Sequence, residues 1–205
     1  TLNNNKNILD NGLVIYSKNK LLDFNEIDYK KSYSELENGF IFTEINHKNT
    51  IYTIVNTHLA PSFGTDWVNV TYEYGVSKGT YVAKDNINSA NIRRKQIEQL
   101  LSIMKEKKNI IILGDFNICK FLYKEEYKSI VQLMKNNNFK EIKPLELDKN
   151  GLIKNGTWRS MNGSEQYQYL GYAFTNIINI RNITLEFDEE YLENIDHKAF
   201  TISIP

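Results

Sequence analysis

The most informative stretch of the sequence is Asn109-Ile-Ile-Ile-Leu-Gly-Asp-Phe-Asn117, because an uninterrupted apolar run ends abruptly in a glycine and an acid. A short run of this kind predicts a strand that is buried on both faces. Gly114 and Asp115 would then lie where the strand emerges at the rim of a sheet, a usual place for a ligand site. The same residue types also form ordinary turns, but an apolar Phe116 between two polar residues is unusual at a loop tip. We therefore expect Asp115 and Asn117 to be functional.

Two further clusters also lie at predicted strand ends. Upstream, Asn56-Thr57-His58-Leu59 closes a strand that begins at Thr50. A lone histidine in such a place is more often structural than catalytic. Downstream, Asp196 and His197 precede a predicted last strand, and this pair offers a hard oxygen ligand beside an imidazole that can be charged near neutral pH. Each cluster is weak evidence alone, and the three together are much stronger.

Hydrophobic patterns predict a set of strands around these clusters. A hairpin is expected from Gly39 to Ile45 and from Thr50 to Asn56, around the polar turn Asn46 to Asn49. The other strands are expected at Gly12 to Ser17 (buried), Tyr169 to Thr175, Asn179 to Phe187 and Lys198 to Ile204. The aromatic-rich residues 60–84 lack a clear period, and we interpret them as a loop packed by its own aromatics rather than a membrane-binding or partner-binding loop.

Two helices are expected between the strands. The first begins near Ser89, a plausible N-cap, and turns inward the apolar residues Ile97, Leu100, Leu101 and Met104. Its other faces would carry Arg93, Arg94, Glu98 and Lys105. The second helix is expected near Lys124 to Lys135, with Tyr127, Ile130, Val131 and Met134 inward. Helices covering mostly antiparallel sheets predict a layered α/β sandwich.

Composition limits the function classes. A chain of 205 residues suits a single domain, residues 1–205. Its 25 basic and 25 acidic residues give no net charge, which weakens the case for a nucleic-acid-binding protein, since phosphate contacts need an excess of lysine and arginine. The one cysteine, Cys119, allows no internal disulfide and favours an intracellular, reducing compartment. Its apolar runs are too short to cross a bilayer.

In this order and at these strand ends, the clusters resemble the endonuclease/exonuclease/phosphatase family, from Gly12 to the C-terminus. Val55-Asn-Thr-His-Leu59, with Gly39-Phe40 before the hairpin, is most similar to the neutral sphingomyelinase-like branch. Arg94 and Gln96 match a helix that carries an arginine and a glutamine in that family. Gly156-Thr-Trp158 with Asn162 is similar to another stretch of the branch. The resemblance implies a four-layer α/β sandwich, two mostly antiparallel sheets flanked by helices.

The resemblance also implies a role for each site residue. Mg²⁺ would bind a phosphodiester oxygen, with Asp196 at or near the metal. Asp115 would orient or deprotonate the attacking water. The resemblance further implies that His58 and Asn117 hydrogen-bond the non-bridging phosphate oxygens. His197 would stabilise the transition state or transfer a proton.

Two departures from the family pattern stand against full activity. The family normally begins with a strand bearing a metal-site Asn and a strand ending in the Glu that is the principal metal ligand. Here only Thr1 to Asp10 lie ahead of the Gly12 strand, and Glu26, Glu35 and Glu37 are wrongly placed to substitute. We therefore expect a sandwich that is incomplete at its N-terminus, and a chain that is poorly soluble unless a protein partner covers the open edge. In addition, Gly171 stands where the family has an Asp that orients the second histidine.

Three hypotheses remain open from the sequence. The chain is a Mg²⁺-dependent phosphodiesterase or phosphohydrolase of sphingomyelinase-like type, acting on a lipid head group more readily than on nucleic acid. Alternatively, it is a catalytically degenerate family member that serves as a binding or structural subunit of a larger assembly. The third hypothesis is a nuclease of the same fold. The retained His58, Asp115, Asn117, Asp196 and His197 favour the first hypothesis, whereas Gly171 and the missing Glu favour the second.

Overall fold

A computed structural model describes residues 13–18, 20–30, 38–61, 65–68, 80–83, 86–120, 123–144, 158–159, 167–168, 170–180, 182–186 and 199–202. The elements within these residues are, in chain order, β1 (Leu21–Asp28), β2 (Gly39–His47), β3 (Thr50–His58), β4 (Thr65–Val68), β5 (Thr80–Ala83), α1 (Asn86–Met104), β6 (Ile110–Asp115), α2 (Lys124–Asn136), β7 (Lys140–Glu141), β8 (Lys143–Pro144), β9 (Trp158–Arg159), β10 (Tyr167–Gln168), β11 (Gly171–Thr175), β12 (Asn182–Glu186) and β13 (Ala199–Thr201).

A six-stranded mixed sheet forms the centre of this fold, with strand order β1-β2-β3-β6-β11-β7. The central pair, β3 and β6, is parallel, and the other neighbours are antiparallel. Parallel strands need a crossover between them, and here α1 makes this connection. The carboxyl ends of β3 and β6 consequently meet at one edge of the sheet.

The β2–β3 hairpin confirms the sequence prediction, in a register that pairs Phe42 with Val55. Lys48 and Asn49 make the turn, with φ values of 50° and 64°. Two successive residues with positive φ form the tight turn that matches the twist of the flanking strands, and asparagine tolerates this conformation well.

The strand predicted at Gly12 to Ser17 is wrong for its described part. Residues 13–17 form no strand, and the side chains of Val14 and Tyr16 are exposed. The side-chain amide of Asn56 donates to the carbonyl of Val14 at 3.2 Å. This carbonyl is therefore bound by a side chain, whereas in a strand it would accept from the backbone of a neighbouring strand. The strand that covers the edge of β2 is instead β1, which the sequence pattern did not indicate.

Both predicted helices are present, with two corrections to α1. It begins at Asn86, three residues before Ser89, so Ser89 lies buried inside the first turns and does not cap the helix. The predicted inward face is right, since Ile97, Leu100, Leu101 and Met104 are all buried. Arg93, however, is buried as well, because it lies one turn before Ile97 on the inward side.

Helix α2 agrees closely with the prediction. Ile130 and Met134 are buried, and the half-buried Tyr127 and Val131 pack against the same core. The two glutamates of the first turn, Glu125 and Glu126, suit the positive end of the helix dipole.

The helices and one face of the central sheet enclose the main core. Alternate residues of neighbouring strands supply its sheet side: Phe40, Phe42, Val55, Ile110, Ile112 and Phe174, all 5% exposed or less. The predicted buried strand at Asn109 to Leu113 is thus confirmed as the middle of the sheet. The strand at Tyr169 to Thr175 is confirmed as β11.

Smaller sheets complete the described part of the fold. The predicted strands near the C-terminus appear as β12 and β13, which join β8 in a three-stranded sheet. The aromatic-rich residues 60–84 contain the paired strands β4 and β5, so part of this predicted loop is regular structure. A mixed α/β fold is therefore confirmed, whereas the four-layer sandwich stays a prediction. None of the helices found in the described residues is both long and apolar enough to cross a membrane.

Candidate active site

His58 and Asp115 come together because they end the two parallel strands at the centre of the sheet. They are register partners in the β3–β6 pair, so their side chains leave the same face of the sheet. The Nε2 atom of His58 lies 3.7 Å from Oδ2 of Asp115. The side chains are 41% and 18% exposed, respectively. Both groups can therefore be reached by water and by a ligand.

Gly114 lets β6 approach β3 closely just before Asp115. Its φ is +148°, and a Cβ built on it would lie 1.9 Å from the carbonyl oxygen of Thr57. Any side chain there would push the two strands apart at the residues that precede His58 and Asp115. The glycine of the motif is thus required by packing, which explains why it stands directly before the acid.

Asn117 ties the two strand ends together. Its φ is +52°, and in this conformation its backbone N–H donates to Oδ1 of Asp115 at 2.8 Å. Its side-chain nitrogen donates to the carbonyl oxygen of Leu59, also at 2.8 Å. The N–H of Leu59 in turn donates to the backbone oxygen of Asp115 at 2.9 Å. One oxygen of the Asp115 carboxylate is therefore oriented by the turn, while the other faces His58.

Phe116, the apolar residue within the turn, points into the core. Its ring is 2% exposed and packs edge-on against Tyr172 and beside Phe174. Its backbone N–H donates to the carbonyl of Leu170 at 3.0 Å. The buried ring anchors the turn, so the polar residues on either side keep a defined position.

The remaining predicted site residues are not part of this described cluster. Asp196 and His197 lie outside the described residues, as do Glu35, Glu37 and Asn162. Glu26 lies on β1, two strands away from His58, with an exposed side chain. Gly171 is buried and stands directly opposite Asp115 in the β6–β11 register. Across from Asp115 there is consequently no carboxylate on β11.

The described residues provide only part of a metal site. Asp115 offers one carboxylate, and no group of three or more His, Cys, Asp or Glu side chains converges within the part of the chain that the structure describes. Mg²⁺ is bound through carboxylate oxygens in near-octahedral geometry. The family resemblance implies that Asp196, which lies outside the described residues, would be at or near a divalent cation bound at this edge.

Three buried polar residues lie next to the site, and of these the sequence analysis matched Gln96 but missed Arg93 and Glu126. The guanidinium of Arg93 forms a forked pair with Glu126, with Nε to Oε1 at 2.7 Å and Nη2 to Oε2 at 2.9 Å. Gln96 lies one turn after Arg93 and is also fully buried. Arg94, which the family resemblance had matched, instead forms a half-exposed pair with Glu98. The position of Arg93, three residues before Gln96 on the apolar side of α1, was the signal that could have found this arginine.

The overall fold was compared with known proteins. No family model matches the sequence, and no curated protein matches it. Among solved structures, the chain is similar to an endonuclease/exonuclease/phosphatase family protein from Leptotrichia buccalis C-1013-b, with 15% identity, a TM-score of 0.58 and 91% of this chain covered. It is also similar to the human nocturnin catalytic domain with bound sulfate, with 19% identity, a TM-score of 0.52 and 90% covered.

A third similar structure is D. rerio TDP2 in complex with a single-stranded DNA product, with 12% identity, a TM-score of 0.52 and 89% of this chain covered. The chain spans 62% of the length of the Leptotrichia protein, 60% of the nocturnin domain and 67% of TDP2. At these identities the likeness is one of fold. The chain has the endonuclease/exonuclease/phosphatase fold.

Proposed function

We propose that this chain is a metal-dependent phosphodiesterase or phosphohydrolase of the endonuclease/exonuclease/phosphatase type, with sphingomyelinase-like specificity. The observation that carries the proposal is the meeting of His58, Asp115 and Asn117 at the carboxyl ends of two adjacent parallel strands. An acid, an imidazole and an amide on one exposed edge are the groups that phosphodiester hydrolysis uses.

Each side chain has a task that its contacts permit. The N–H of Asn117 orients one oxygen of the Asp115 carboxylate, and this carboxylate would orient a water molecule and accept its proton. The His58 imidazole is exposed enough to hydrogen-bond a phosphate oxygen. The Asn117 amide nitrogen uses one N–H on Leu59 and has a second for a phosphate oxygen.

Two further residues complete the proposal. Asp196 would hold the cation, for which we propose Mg²⁺, and His197 would stabilise the transition state or transfer a proton. A bound divalent cation would neutralise the negative charge that develops on the phosphoryl oxygens.

A lipid head group is the substrate class that we favour. The chain has no net positive charge to favour the binding of a polynucleotide, which depends on many phosphate contacts. The nuclease alternative has its own support, since the similar TDP2 structure holds a single-stranded DNA product. The two substrate classes are separated by direct assay.

The test is turnover of three substrates by the same preparation: sphingomyelin, single-stranded DNA and a small generic phosphodiester. Each is assayed over a Mg²⁺ titration and again after chelation. We expect Mg²⁺-dependent hydrolysis that is faster on sphingomyelin than on DNA, and no hydrolysis with chelator. Faster hydrolysis of DNA would replace the lipid proposal with the nuclease.

A catalytically degenerate binding or structural subunit is the second candidate. The specific observation in its favour is Gly171, which stands opposite Asp115 where a carboxylate would otherwise hold the second histidine. In this case the chain would act as part of a larger assembly, bound to a protein partner. Absence of turnover on all three substrates at saturating Mg²⁺ would favour this candidate.

Gly171→Asp separates a degenerate site from an intact one. If Gly171 is the defect, the restored carboxylate would raise turnover by orienting His197. If the site functions with glycine, a second carboxylate directly opposite Asp115 adds like-charge repulsion, and turnover would fall. Gly171→Ala controls for the added side-chain volume.

A further inference from the structure

The backbone of Ala60, two residues after His58, is held on both sides by helix α1. Its N–H donates to Oε1 of Gln96 at 2.9 Å. Its carbonyl oxygen accepts from Nη1 of Arg93 at 3.2 Å. Because Arg93 and Gln96 are one helical turn apart, a single face of α1 reaches both polar groups of one peptide segment.

A buried ion pair fixes the arginine of this arrangement. The Arg93 side chain is 0% exposed and that of Glu126 is 5% exposed. Two parallel N–H···O contacts from the guanidinium fork set the orientation of Arg93 and link α1 to α2. Burying two charges is costly, and well-packed apolar residues often stabilise a fold equally well. The pair therefore calls for an explanation other than stability.

The contacts on Ala60 continue those on Leu59. The N–H of Leu59 is bound by the backbone oxygen of Asp115, and its carbonyl is bound by the side chain of Asn117. Both backbone groups of Leu59 and both of Ala60 are thus hydrogen-bonded, two of them by buried side chains of α1. The chain that leaves the end of β3 is fixed directly after His58.

We propose that Arg93, Gln96 and Glu126 are positioning residues that hold the imidazole of His58 against Asp115. The proposal rests on the function proposed for His58, but its main test needs no turnover. In this arrangement α1 fixes Ala60, Ala60 fixes the end of β3, and the end of β3 sets the 3.7 Å separation between His58 and Asp115. None of the three residues is proposed to touch substrate.

Gln96 is the residue to test, because the oxygen of its side chain makes the contact. Its Nε2 atom is buried and finds no hydrogen-bond partner among the described residues. Gln96→Met removes the acceptor while keeping a similar shape. Gln96→Glu keeps an acceptor oxygen and serves as the conservative variant.

Gln99→Met provides a matched control on the same helix. Gln99 also binds two backbone groups, accepting from the N–H of Lys30 at 3.1 Å and donating to the carbonyl of Asp28 at 3.0 Å. Asp28 is the last residue of β1 and Lys30 lies two residues after it. Both are away from the β3–β6 pair. The control therefore removes side-chain-to-backbone hydrogen bonds from the same helix, here exposed ones, without touching the segment after His58.

The measurement is NMR of the histidine-labelled 205-residue chain, analysed as a double-mutant cycle. The quantity is the change in the His58 imidazole resonances caused by Asp115→Asn, which reports the coupling between the two side chains. We expect Gln96→Met to reduce this change by about half or more, while Gln99→Met and Gln96→Glu preserve it. Exchange of the Ala60 amide should become about tenfold faster in Gln96→Met.

Two results would overturn the proposal. One is an undiminished Asp115→Asn response in Gln96→Met. The other is an equal reduction in Gln96→Met and Gln99→Met, which would mean that only general stability matters. If Gln96→Met does not fold, Arg93→Lys takes its place, since it keeps a cation but loses the fork. A full His58 response in Arg93→Lys would also refute a positioning role.

A catalytic readout keeps this proposal distinct from the proposed function. Where the wild type turns over substrate, Gln96→Met should lower kcat about tenfold or more with little change in KM, because His58 would act on the transition state. A wild type without turnover would reject the proposed function, and the NMR result would still decide the positioning proposal.

Discussion

Among single residues, Gly114 is the position in the site where a side chain would be least tolerated. We predict that Gly114→Ala lowers the free energy of unfolding by more than about 3 kcal/mol, since a Cβ would meet the Thr57 carbonyl at 1.9 Å in a backbone region that is strained for alanine. Urea unfolding measures the change. A loss below about 1 kcal/mol would mean that β3 and β6 can separate easily, and would contradict the tight pairing described above.

The buried phenol of Tyr29 should make the free energy of unfolding depend on pH in the alkaline range. Burial raises the pKa of Tyr29 above its ordinary value of 10.0, and the 2.7 Å hydrogen bond with Thr57 offsets only part of the rise. Above pH 10 the unfolded chain therefore loses the Tyr29 proton while the folded chain keeps it. The contribution of the buried phenol to stability is fully present below that pH and is lost as the pH rises further.

We accordingly expect Tyr29→Phe to lose less stability than the wild type between about pH 9 and pH 11. The measurement is urea unfolding across this range, and Tyr16→Phe, whose ring is 90% exposed, controls for the loss of one phenol. Parallel pH profiles of the wild type and Tyr29→Phe would show that the raised pKa is not coupled to folding.

The sequence indicates the candidate site residues more clearly than the buried residues packed behind them. His58, Asp115 and Asn117 were predicted because polar groups at the ends of apolar strands stand out, and the structure brings these three together. Arg93 was predicted to lie on an outer face, because an arginine is normally solvated. Arg93 can be buried because it forms an ion pair with Glu126. This partner is 33 residues away in the sequence, so no local sequence pattern indicates the pair.

At the scale of elements, the Arg93–Glu126 pair links α1 to α2. We predict that Arg93→Leu lowers the free energy of unfolding by about 3–5 kcal/mol, because it leaves a buried carboxylate without its partner. The double variant Arg93→Leu, Glu126→Leu should be more stable than the single one, since no charge is then left buried. Chemical denaturation tests both. A double variant less stable than Arg93→Leu would contradict this account of the pair.

The strands show which elements a sequence pattern can predict. The β2–β3 hairpin has regular alternation around a polar turn, and it was found with its pairing. Strand β1 was missed because it lies at the edge of the sheet, where Leu22 and Phe24 are about half exposed, and so its apolar residues do not alternate cleanly. The apolar run at residues 13–17 has the hydrophobicity of a strand, but it forms none in the structure. Hydrophobicity alone does not show whether a run has a strand to pair with.

At the level of the whole molecule, β1 is an edge strand of the central sheet within the described residues, and we expect this edge to promote association. Phe24 is 54% exposed and Leu22 is 48% exposed on this eight-residue edge strand. An exposed edge with apolar side chains invites pairing with another chain. We predict that the isolated chain self-associates and that Phe24→Lys reduces this association, as measured by sedimentation velocity over a concentration series. A wild type that stays monomeric at every concentration would refute the prediction.

The proposed active site is tested directly by the rate of Mg²⁺-dependent phosphodiester hydrolysis in Asp115→Asn, compared with that in Asp23→Asn. Asp115 lies at the end of β6 beside His58, whereas Asp23 lies at the other end of the sheet, in an exposed pair with Lys107 that contributes little to stability. We predict that Asp115→Asn lowers the rate about a thousandfold or more, because the group that accepts the water proton is gone, while Asp23→Asn hydrolyses the substrate at the wild-type rate. Equal rates in Asp115→Asn and the wild type would contradict the claim that the edge formed by His58, Asp115 and Asn117 is a phosphodiesterase site.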